Sequence, residues 1–175
     1  YENGKRMTLD INHVQEGERT MSYANVKKYF EDVKLGERVK VLEQSSATVQ
    51  MAAAAVGCEA KQIAKTLSFL VDDLPILIVA AGNARIDNQK YKATFLQKSK
   101  MIPGELVEKY VGHNPGGVCP FAVEPNVPIY LDVSLKQNEV VYPAAGSENS
   151  VVELTIEELE RHSAFKDWVD VCKVV

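Results

Sequence analysis

The sequence has few cysteines, few histidines and no long apolar run. Its three cysteines, Cys58, Cys119 and Cys172, are widely spaced and form no CxxC pair, which excludes a disulfide framework and a zinc knuckle. The scattered histidines show no short ligand spacing, so we expect no metal. The longest apolar run, Leu74 to Ala81, is too short to cross a membrane, and the first residues lack the pattern of a secretory leader. We therefore expect a metal-free protein of the reducing cytoplasm.

What remains is the composition of one globular domain. The chain has 175 residues, 46% of them hydrophobic and 25% charged, and its formal net charge is -4. This charge argues against binding nucleic acid through net charge alone. Five cations and one anion lie between Arg85 and Lys100, whereas seven acids and two bases lie between Glu148 and Asp170. We interpret both segments as solvated faces. The alternative for the first segment is a surface that binds an anionic ligand.

Residues 1–20 are set apart because Met21 opens a more regular stretch of sequence. We interpret them as an N-terminal extension, a processed leader or residues added in cloning, and we exclude them from the functional argument. Residues 21–175 are expected to form the single domain.

Local patterns in the first half predict one helix and one hairpin. Ser46 as N-cap and Gly57 as C-terminal glycine flank an alanine-rich helix over Ala47–Val56. Two β-type runs, Lys65–Val71 and Ile76–Ala81, are separated by a turn sequence, which predicts a hairpin whose second strand is buried on both faces.

The second half predicts further strands mixed with helices. Because strands and helices do not alternate regularly, we predict an α+β fold around a mixed or antiparallel sheet. The expected elements are a helix over Pro103–Val111 that ends at Gly112, strands at Ile129–Asp132, Glu139–Tyr142 and Val151–Leu154, a helix from the capping box Thr155–Glu158 to about Arg161, and a last helix over Ala164–Cys172.

The common enzyme motifs GxGxxG, GxxxxGK[ST], GxSxG and HExxH are absent. The densest turn sequence is Gly112–Pro120, with three glycines and two prolines, and it predicts a structured loop. Its part Gly116–Pro120 is suited to present successive backbone N–H groups to a carbonyl oxygen. An ordinary tight turn between two elements is the alternative.

Three further positions carry chemical alternatives. Lys65 begins an apolar strand and either directs its ammonium into a polar pocket or serves solubility at a strand edge. Cys119, with His113 six residues earlier, is either a thiol nucleophile or a small buried residue. Asn149 and Ser150 are either turn-forming residues or part of a loop that contacts substrate.

Four short segments occur in one order: Lys65-Thr-Leu-Ser-Phe69, Ala80-Ala-Gly82, Gly116-Gly-Val-Cys-Pro120 and Pro143-Ala-Ala-Gly-Ser-Glu-Asn149. Together they resemble the YbaK family of aminoacyl-tRNA deacylases, which includes the editing insertion domain of bacterial prolyl-tRNA synthetase. The likeness covers about Val26 to Val171.

This resemblance implies a mixed, barrel-like β-sheet flanked by helices. It also implies hydrolysis, without metal or cofactor, of the ester that joins a small wrong amino acid to a tRNA such as tRNA-Pro. The substrate partner is then the acceptor end of an aminoacyl-tRNA, delivered by a synthetase or an elongation factor, and neither DNA nor a membrane is an expected partner.

The resemblance also assigns residues. The family's essential lysine corresponds to Lys65, and its glycine-x-x-x-proline loop, which holds the aminoacyl carbonyl and the terminal ribose, corresponds to Gly116 and Pro120. We expect Lys65, Gly116 and Gly117 to act in catalysis. We expect substrate contacts from Thr66, Val118, Cys119, Pro120, Gly146, Asn149 and Ser150, with Leu67, Phe69 and Phe121 as apolar walls of the pocket.

The sequence departs from the family at the position that marks the substrate. Members that remove cysteine have an acidic residue near Val151, and members that remove alanine have a histidine in the preceding loop, which here is Ser147-Glu-Asn-Ser150. The amino acid removed is therefore left open. The departure favours the alternative of a non-catalytic module that binds a tRNA end or a small ligand, and a hydrolase acting through Cys119 is a third reading.

Overall fold

The computed structural model describes residues 22–175, so the expected boundary between residues 1–20 and the domain lies outside the described residues. The helices of the described part are α1 (22–32), α2 (Val49–Val56), α3 (Asn88–Phe95), α4 (Gly104–Val111) and α5 (Ile156–His162). The strands are β1 (Val39–Val41), β2 (Ile63–Val71), β3 (Leu74–Ala81), β4 (Ala84–Ile86), β5 (Ile129–Asp132), β6 (Val140–Pro143), β7 (Ser150–Val152), β8 (Leu154–Thr155), β9 (Asp167–Val169) and β10 (Cys172–Val174). No helix among residues 22–175 is both long enough and apolar enough to cross a membrane.

The main sheet has six strands in the order β8-β6-β2-β3-β5-β9 and curls into a half-barrel. Its pairs β2–β3 and β6–β8 are antiparallel, whereas β2–β6, β3–β5 and β5–β9 are parallel. Two small antiparallel sheets, β1–β7 and β4–β10, complete the described strands. The prediction of a mixed, barrel-like sheet flanked by helices is confirmed. The single strand expected at Val151–Leu154 is two strands, because β7 pairs with β1 and β8 with β6.

The predicted hairpin is confirmed as β2–β3. Asp72 and Asp73 both have positive φ, 51° and 62°, which is the geometry of a tight two-residue hairpin turn. The register sets Lys65 opposite Ala80. Because the turn fixes this register, Lys65 lies near the end of β2 that is far from the turn.

β3 is buried on both faces, as predicted. Its side chains alternate between two apolar clusters, since successive residues of a strand point to opposite faces. Leu77 and Val79 belong to the larger cluster, whereas Ile78 and Ala80 belong to a smaller one that contains Tyr91 of α3. The sheet is thus covered on both sides, and a site can open only where strand pairing stops.

Helix α2 begins two residues later than predicted. Thr48 is its N-cap, with Oγ1 accepting a hydrogen bond from the N–H of Met51 at 3.1 Å, and Gly57 ends the helix with φ +82°. Ser46 does not cap the helix because its hydroxyl and its N–H both donate to the carbonyl of Glu148, at 3.0 and 2.6 Å. This contact ties the start of α2 to the loop before β7.

The predicted last helix over Ala164–Cys172 is wrong. α5 ends at His162, Ala164 has φ +50°, and the chain continues into β9 and β10. β9 pairs with β5 and β10 pairs with β4, and the buried carboxylate of Asp132 accepts a hydrogen bond from the N–H of Val171 at 2.9 Å. These partners lie far away in sequence, so helical spacing of aromatic residues could not reveal them.

Candidate active site

Lys65 lies where the sheet opens. β2 pairs with β6 only at Ile63 and Ala64, so the edge of β2 beyond these residues is not covered by β6. The Lys65 side chain is half-buried there, and its ammonium donates a hydrogen bond to the carbonyl of Ala84 in β4. Burial lowers the pKa of Lys65. The Cys172 thiol acts in the opposite direction, and the Arg85 guanidinium lowers the pKa further.

The glycine loop, defined here as residues 114–120, follows α4. Gly112 ends α4 with φ +87°, and Pro115–Gly117 then form a 3-10 turn that closes with a 2.9 Å hydrogen bond from the N–H of Gly117 to the carbonyl of Asn114. This bond occupies the N–H of Gly117. The successive array of free donors that the sequence predicts is therefore interrupted at Gly117.

Close packing requires the glycine at position 117. A Cβ on Gly117 would lie 2.6 Å from backbone atoms of Gly146 and Ser147, which leaves no room for a methyl group. A Cβ on Gly116 would lie 2.5 Å from Cγ of Glu148, but that side chain is exposed and can rotate away. Gly117 therefore acts as a packing residue that seats the glycine loop on the turn at 146–148.

The open edge of β2 and the glycine loop line one cavity of about 110 Å³. Lys65 and Thr66 line it from β2, and Gly116 and Val118 line it from the glycine loop. The opposite wall of the cavity comes from α2, its cap, β6, β7 and the residue after β6. Its residues include Thr48, Val49, Ala52, Tyr142, Ala144 and Val151. Ala144 belongs to the segment Pro143–Asn149 and Val151 lies near the position that marks the substrate in the family, whereas no motif marks the other four.

Thr66 lines the cavity, but its hydroxyl oxygen is enclosed. Oγ1 is buried and has no hydrogen-bond partner within residues 22–175. A buried hydroxyl without a partner costs roughly 1–3 kcal/mol. The predicted substrate contact of Thr66 stays a prediction.

The other predicted substrate residues are divided between two places. Gly146 and Asn149 line a second cavity of about 310 Å³, together with Tyr23 and Glu148. Ser150 is fully buried, and its hydroxyl lies 2.5 Å from that of Ser147. Pro120, the last residue of the glycine loop, is buried and does not line the first cavity. The structure thus brings Lys65, Thr66, Gly116 and Val118 together, but not these four.

Cys119 is not placed as a nucleophile. It is fully buried, it does not line the cavity, and burial raises the pKa of its thiol to about 12. Nε2 of His113 lies 3.6 Å from its Sγ but is already hydrogen-bonded to the carbonyl of Phe121 at 2.6 Å. A thiol that ionises so poorly and is enclosed in the core cannot attack an ester in the cavity, so the reading of a hydrolase through Cys119 is not supported.

The expected apolar walls are wrong. Phe69 belongs to the smaller core cluster and packs on the ring of Tyr91, with ring centroids 5.3 Å apart, and Leu67 packs against the same cluster. Phe121 lies in the larger cluster, 4.8 Å from the ring of Phe30. Leu67 and Phe69 lie along β2 away from the end that opens, and Phe121 turns into the core after the glycine loop. None of the three lines the cavity.

Among residues 22–175, no three His, Cys, Asp or Glu side chains lie close enough together to hold a metal ion. Lys65 is the one charged residue among the described residues that line the cavity, and its ammonium is held by the carbonyl of Ala84. The cavity is therefore a small pocket with a lining of mixed polar and apolar character, which suits a ligand with a carbonyl oxygen or a phosphate.

Known proteins of three bacteria have sequences similar to this chain. Protein YwhH of Bacillus subtilis (strain 168) is 48% identical over 155 residues, which cover 87% of this chain and 98% of YwhH. A proline–tRNA ligase of Limosilactobacillus fermentum is 30% identical over 62% of this chain, which spans about a fifth (21%) of the ligase. A protein of Enterococcus faecalis named as a candidate Cys-tRNA(Pro)/Cys-tRNA(Cys) deacylase is 27% identical over 64% of this chain and 70% of its own length.

A solved structure and a family model agree with these relatives. The crystal structure of a candidate trans-editing enzyme for prolyl-tRNA synthetase superposes with a TM-score of 0.77 at 28% identity, covering 87% of this chain and 97% of that one. The model of the aminoacyl-tRNA editing domain matches residues 43–162, which include Lys65, the glycine loop and every residue that lines the cavity of about 110 Å³. This chain belongs to the aminoacyl-tRNA editing domain family.

Proposed function

We propose that this chain is an aminoacyl-tRNA deacylase that acts in trans and hydrolyses the ester between a wrong amino acid and the terminal ribose of a tRNA. The observation that carries the proposal is that Lys65 and the glycine loop line the same small cavity. Membership of the editing domain family supports it, as do relatives named for deacylation and for editing in trans.

The reaction needs little from the protein beyond positioning. Water adds to the ester carbonyl carbon, the bond to the ribose oxygen breaks, and the released hydroxyl takes up a proton from the water. Because an aminoacyl ester is already activated, orienting it and stabilising the developing oxyanion are enough for catalysis. We assign the oxyanion to the N–H groups of Gly116 and Val118, and we assign to Lys65 the electrostatic attraction of the terminal phosphate or ribose.

The walls of the cavity limit the amino acid. Ala52, Ala144 and Val151 present small apolar side chains, and no carboxylate lines the cavity among the described residues. Burying a charged side chain there without a partner would be costly, and a larger side chain would not fit. We therefore propose a small uncharged amino acid as substrate, selected by size. The likeness to proline–tRNA ligases makes tRNA-Pro the first tRNA to test.

The cations near Lys65 offer a surface for the acceptor end. Arg85 follows the carbonyl that binds the Lys65 ammonium, and the register of β4 and β10 places Lys173 opposite Arg85. Lys90 is less available, because its ammonium binds the Asp170 carboxylate and the Cys172 carbonyl, each at 3.0 Å. With a net charge of -4 we expect modest tRNA affinity, so we propose delivery by a synthetase or an elongation factor in the cytoplasm.

The test is a panel of mischarged tRNAs incubated with wild type, Lys65→Ala and Lys61→Ala. Lys61 lies four residues earlier, is outside the cavity and forms an ion pair with Glu59 at 3.5 Å, which makes it a matched control. We expect Lys65→Ala to slow deacylation by about 10²–10³-fold, the usual effect of losing one electrostatic partner of a transition state, and Lys61→Ala to leave the rate unchanged.

Four results would decide against the proposal or part of it. No cleavage above the rate in buffer would overturn the deacylase function, and tight tRNA binding without turnover would establish the non-catalytic binding module instead. Full activity of Lys65→Ala would remove Lys65 from the mechanism. Loss of activity on incubation with a chelator would contradict metal-free chemistry.

A further inference from the structure

His113 is buried directly beneath the glycine loop and is not explained by the proposed chemistry. Its side chain is 1% exposed, and both of its ring nitrogens have partners. Nε2 lies 2.6 Å from the carbonyl oxygen of Phe121, and Nδ1 lies 2.5 Å from the hydroxyl of Ser22, which begins α1. The ring therefore connects residues 91 positions apart in the sequence.

The partners determine the protonation of this ring. The carbonyl of Phe121 can only accept, so Nε2 carries the hydrogen and donates it, and Nδ1 accepts the hydrogen of the Ser22 hydroxyl. Burial lowers the pKa of His113, which agrees with a neutral ring. Every polar atom of the His113 side chain is thus satisfied within the core.

The bond from His113 to Phe121 joins the two ends of the glycine loop. His113 immediately precedes that loop and Phe121 immediately follows it, so the ring clamps the loop at its base. Ser22 anchors the clamp to α1, and the same residue packs against the turn at 146–148, since a Cβ on Gly146 would lie 2.7 Å from the Ser22 carbonyl oxygen. Gly117 in turn packs on Gly146.

We propose that His113 is a positioning residue for deacylation, and that its hydrogen bonds to Phe121 and Ser22 hold the glycine loop in place against α1. This inference rests on the proposed function. His113 touches no substrate atom, and it acts through the backbone donors of the glycine loop. A displacement of such donors by about 1 Å is expected to cost roughly 10²-fold in rate.

The experiment compares His113→Phe, His113→Gln and His113→Asn with wild type in single-turnover deacylation of the mischarged tRNA that wild type cleaves best. Phe keeps the bulk of the ring without either hydrogen bond, Gln keeps a donor near Nε2, and Asn keeps an acceptor near Nδ1. We expect kcat to fall about 10- to 100-fold for Phe with KM nearly unchanged, and to recover in part for Gln.

His162→Gln is the matched control. His162 also bonds α1, with Nδ1 3.0 Å from the Tyr29 hydroxyl, but it does not line the cavity or touch the glycine loop. We expect its kcat to equal that of wild type. Phe leaves both partners of His113 unpaired, whereas Gln and Asn each keep one polar group for them. Gln and Asn therefore still test the proposal if the Phe variant does not fold.

Amide hydrogen exchange at Gly116 and Gly117 gives a readout that is independent of activity. We expect faster exchange in His113→Phe than in wild type and His162→Gln. An inactive wild type would overturn the proposed function but not the clamp, which the exchange rates would still test. A folded His113→Phe with wild-type exchange rates, or with wild-type kcat on an enzyme that is active, would overturn the role of His113.

Discussion

Replacing Gly117 with alanine tests whether the seat of the glycine loop matters for catalysis. The added Cβ would lie 2.6 Å from the Gly146 carbonyl carbon and the Ser147 nitrogen, whereas ordinary contacts begin near 3.4 Å. Both neighbours are backbone atoms, so the loop and the turn at 146–148 must separate by about 0.8 Å. Because a misplacement of about 1 Å costs roughly 10²-fold, we expect kcat for deacylation to fall by about 10- to 100-fold.

Gly104→Ala is the matched control for this prediction. Gly104 begins α4, is exposed, and has only Pro115 Cγ near its added Cβ, at 4.0 Å. Alanine is favoured over glycine in a helix by up to about 1 kcal/mol, so Gly104→Ala should be at least as stable as wild type and fully active. Single-turnover deacylation and thermal unfolding of both variants provide the measurement. A folded Gly117→Ala with wild-type kcat would refute the claim that this packing positions the site.

Three further predictions follow from the same geometry. Ala52→Leu should fill the cavity of about 110 Å³ and raise KM or abolish turnover while the circular dichroism spectrum is unchanged; an unaltered substrate profile would mean that the acyl group binds elsewhere. Arg85→Glu should weaken tRNA binding at low salt and flatten its salt dependence, whereas an unchanged salt slope in a titration would place this cation on a merely solvated face. The neutral, buried His113 contributes stability above pH 6.5 that is lost as pH falls towards its lowered folded-state pKa. Urea denaturation at pH 7.5 and 5.5 should therefore show a drop in unfolding free energy that is smaller in His113→Phe, and equal drops would show that folding does not lower the pKa of His113.

Local signals in the sequence carried much of the secondary structure. The hairpin β2–β3, helix α4 with its terminal glycine and the capping box of α5 follow from residues within a few positions of one another. Thr155 and Glu158 make both reciprocal bonds of that box, as their spacing predicts. Elements of this kind are predictable because the groups that stabilise them are neighbours in the chain.

Helix α3 and the last two strands were not predicted. α3 has a clear N-cap in Asp87, which accepts hydrogen bonds from the N–H groups of Gln89 and Lys90, but the mixed composition of the helix gives no periodic signal. The last segment has helical spacing of Phe165 and Trp168 and nevertheless forms β9 and β10. Hydrogen bonds to β5 and β4 outweigh local preference there, as is common for strands at a sheet edge.

Residue types by themselves determined the class of the protein and two parts of its site, Lys65 and the glycine loop. A lysine at the start of an apolar strand and a loop that requires glycine are chemical properties of the chain, and they are visible without coordinates. Only the tertiary structure decided what lies between them. The cavity walls at Ala52, Ala144 and Val151 come from three separate parts of the chain, and the packing of Gly117 on Gly146 and the bond of His113 to Ser22 depend on groups brought together by folding. A pocket is the space left where strand pairing stops, and that space is a property of the packed chain rather than of any one segment.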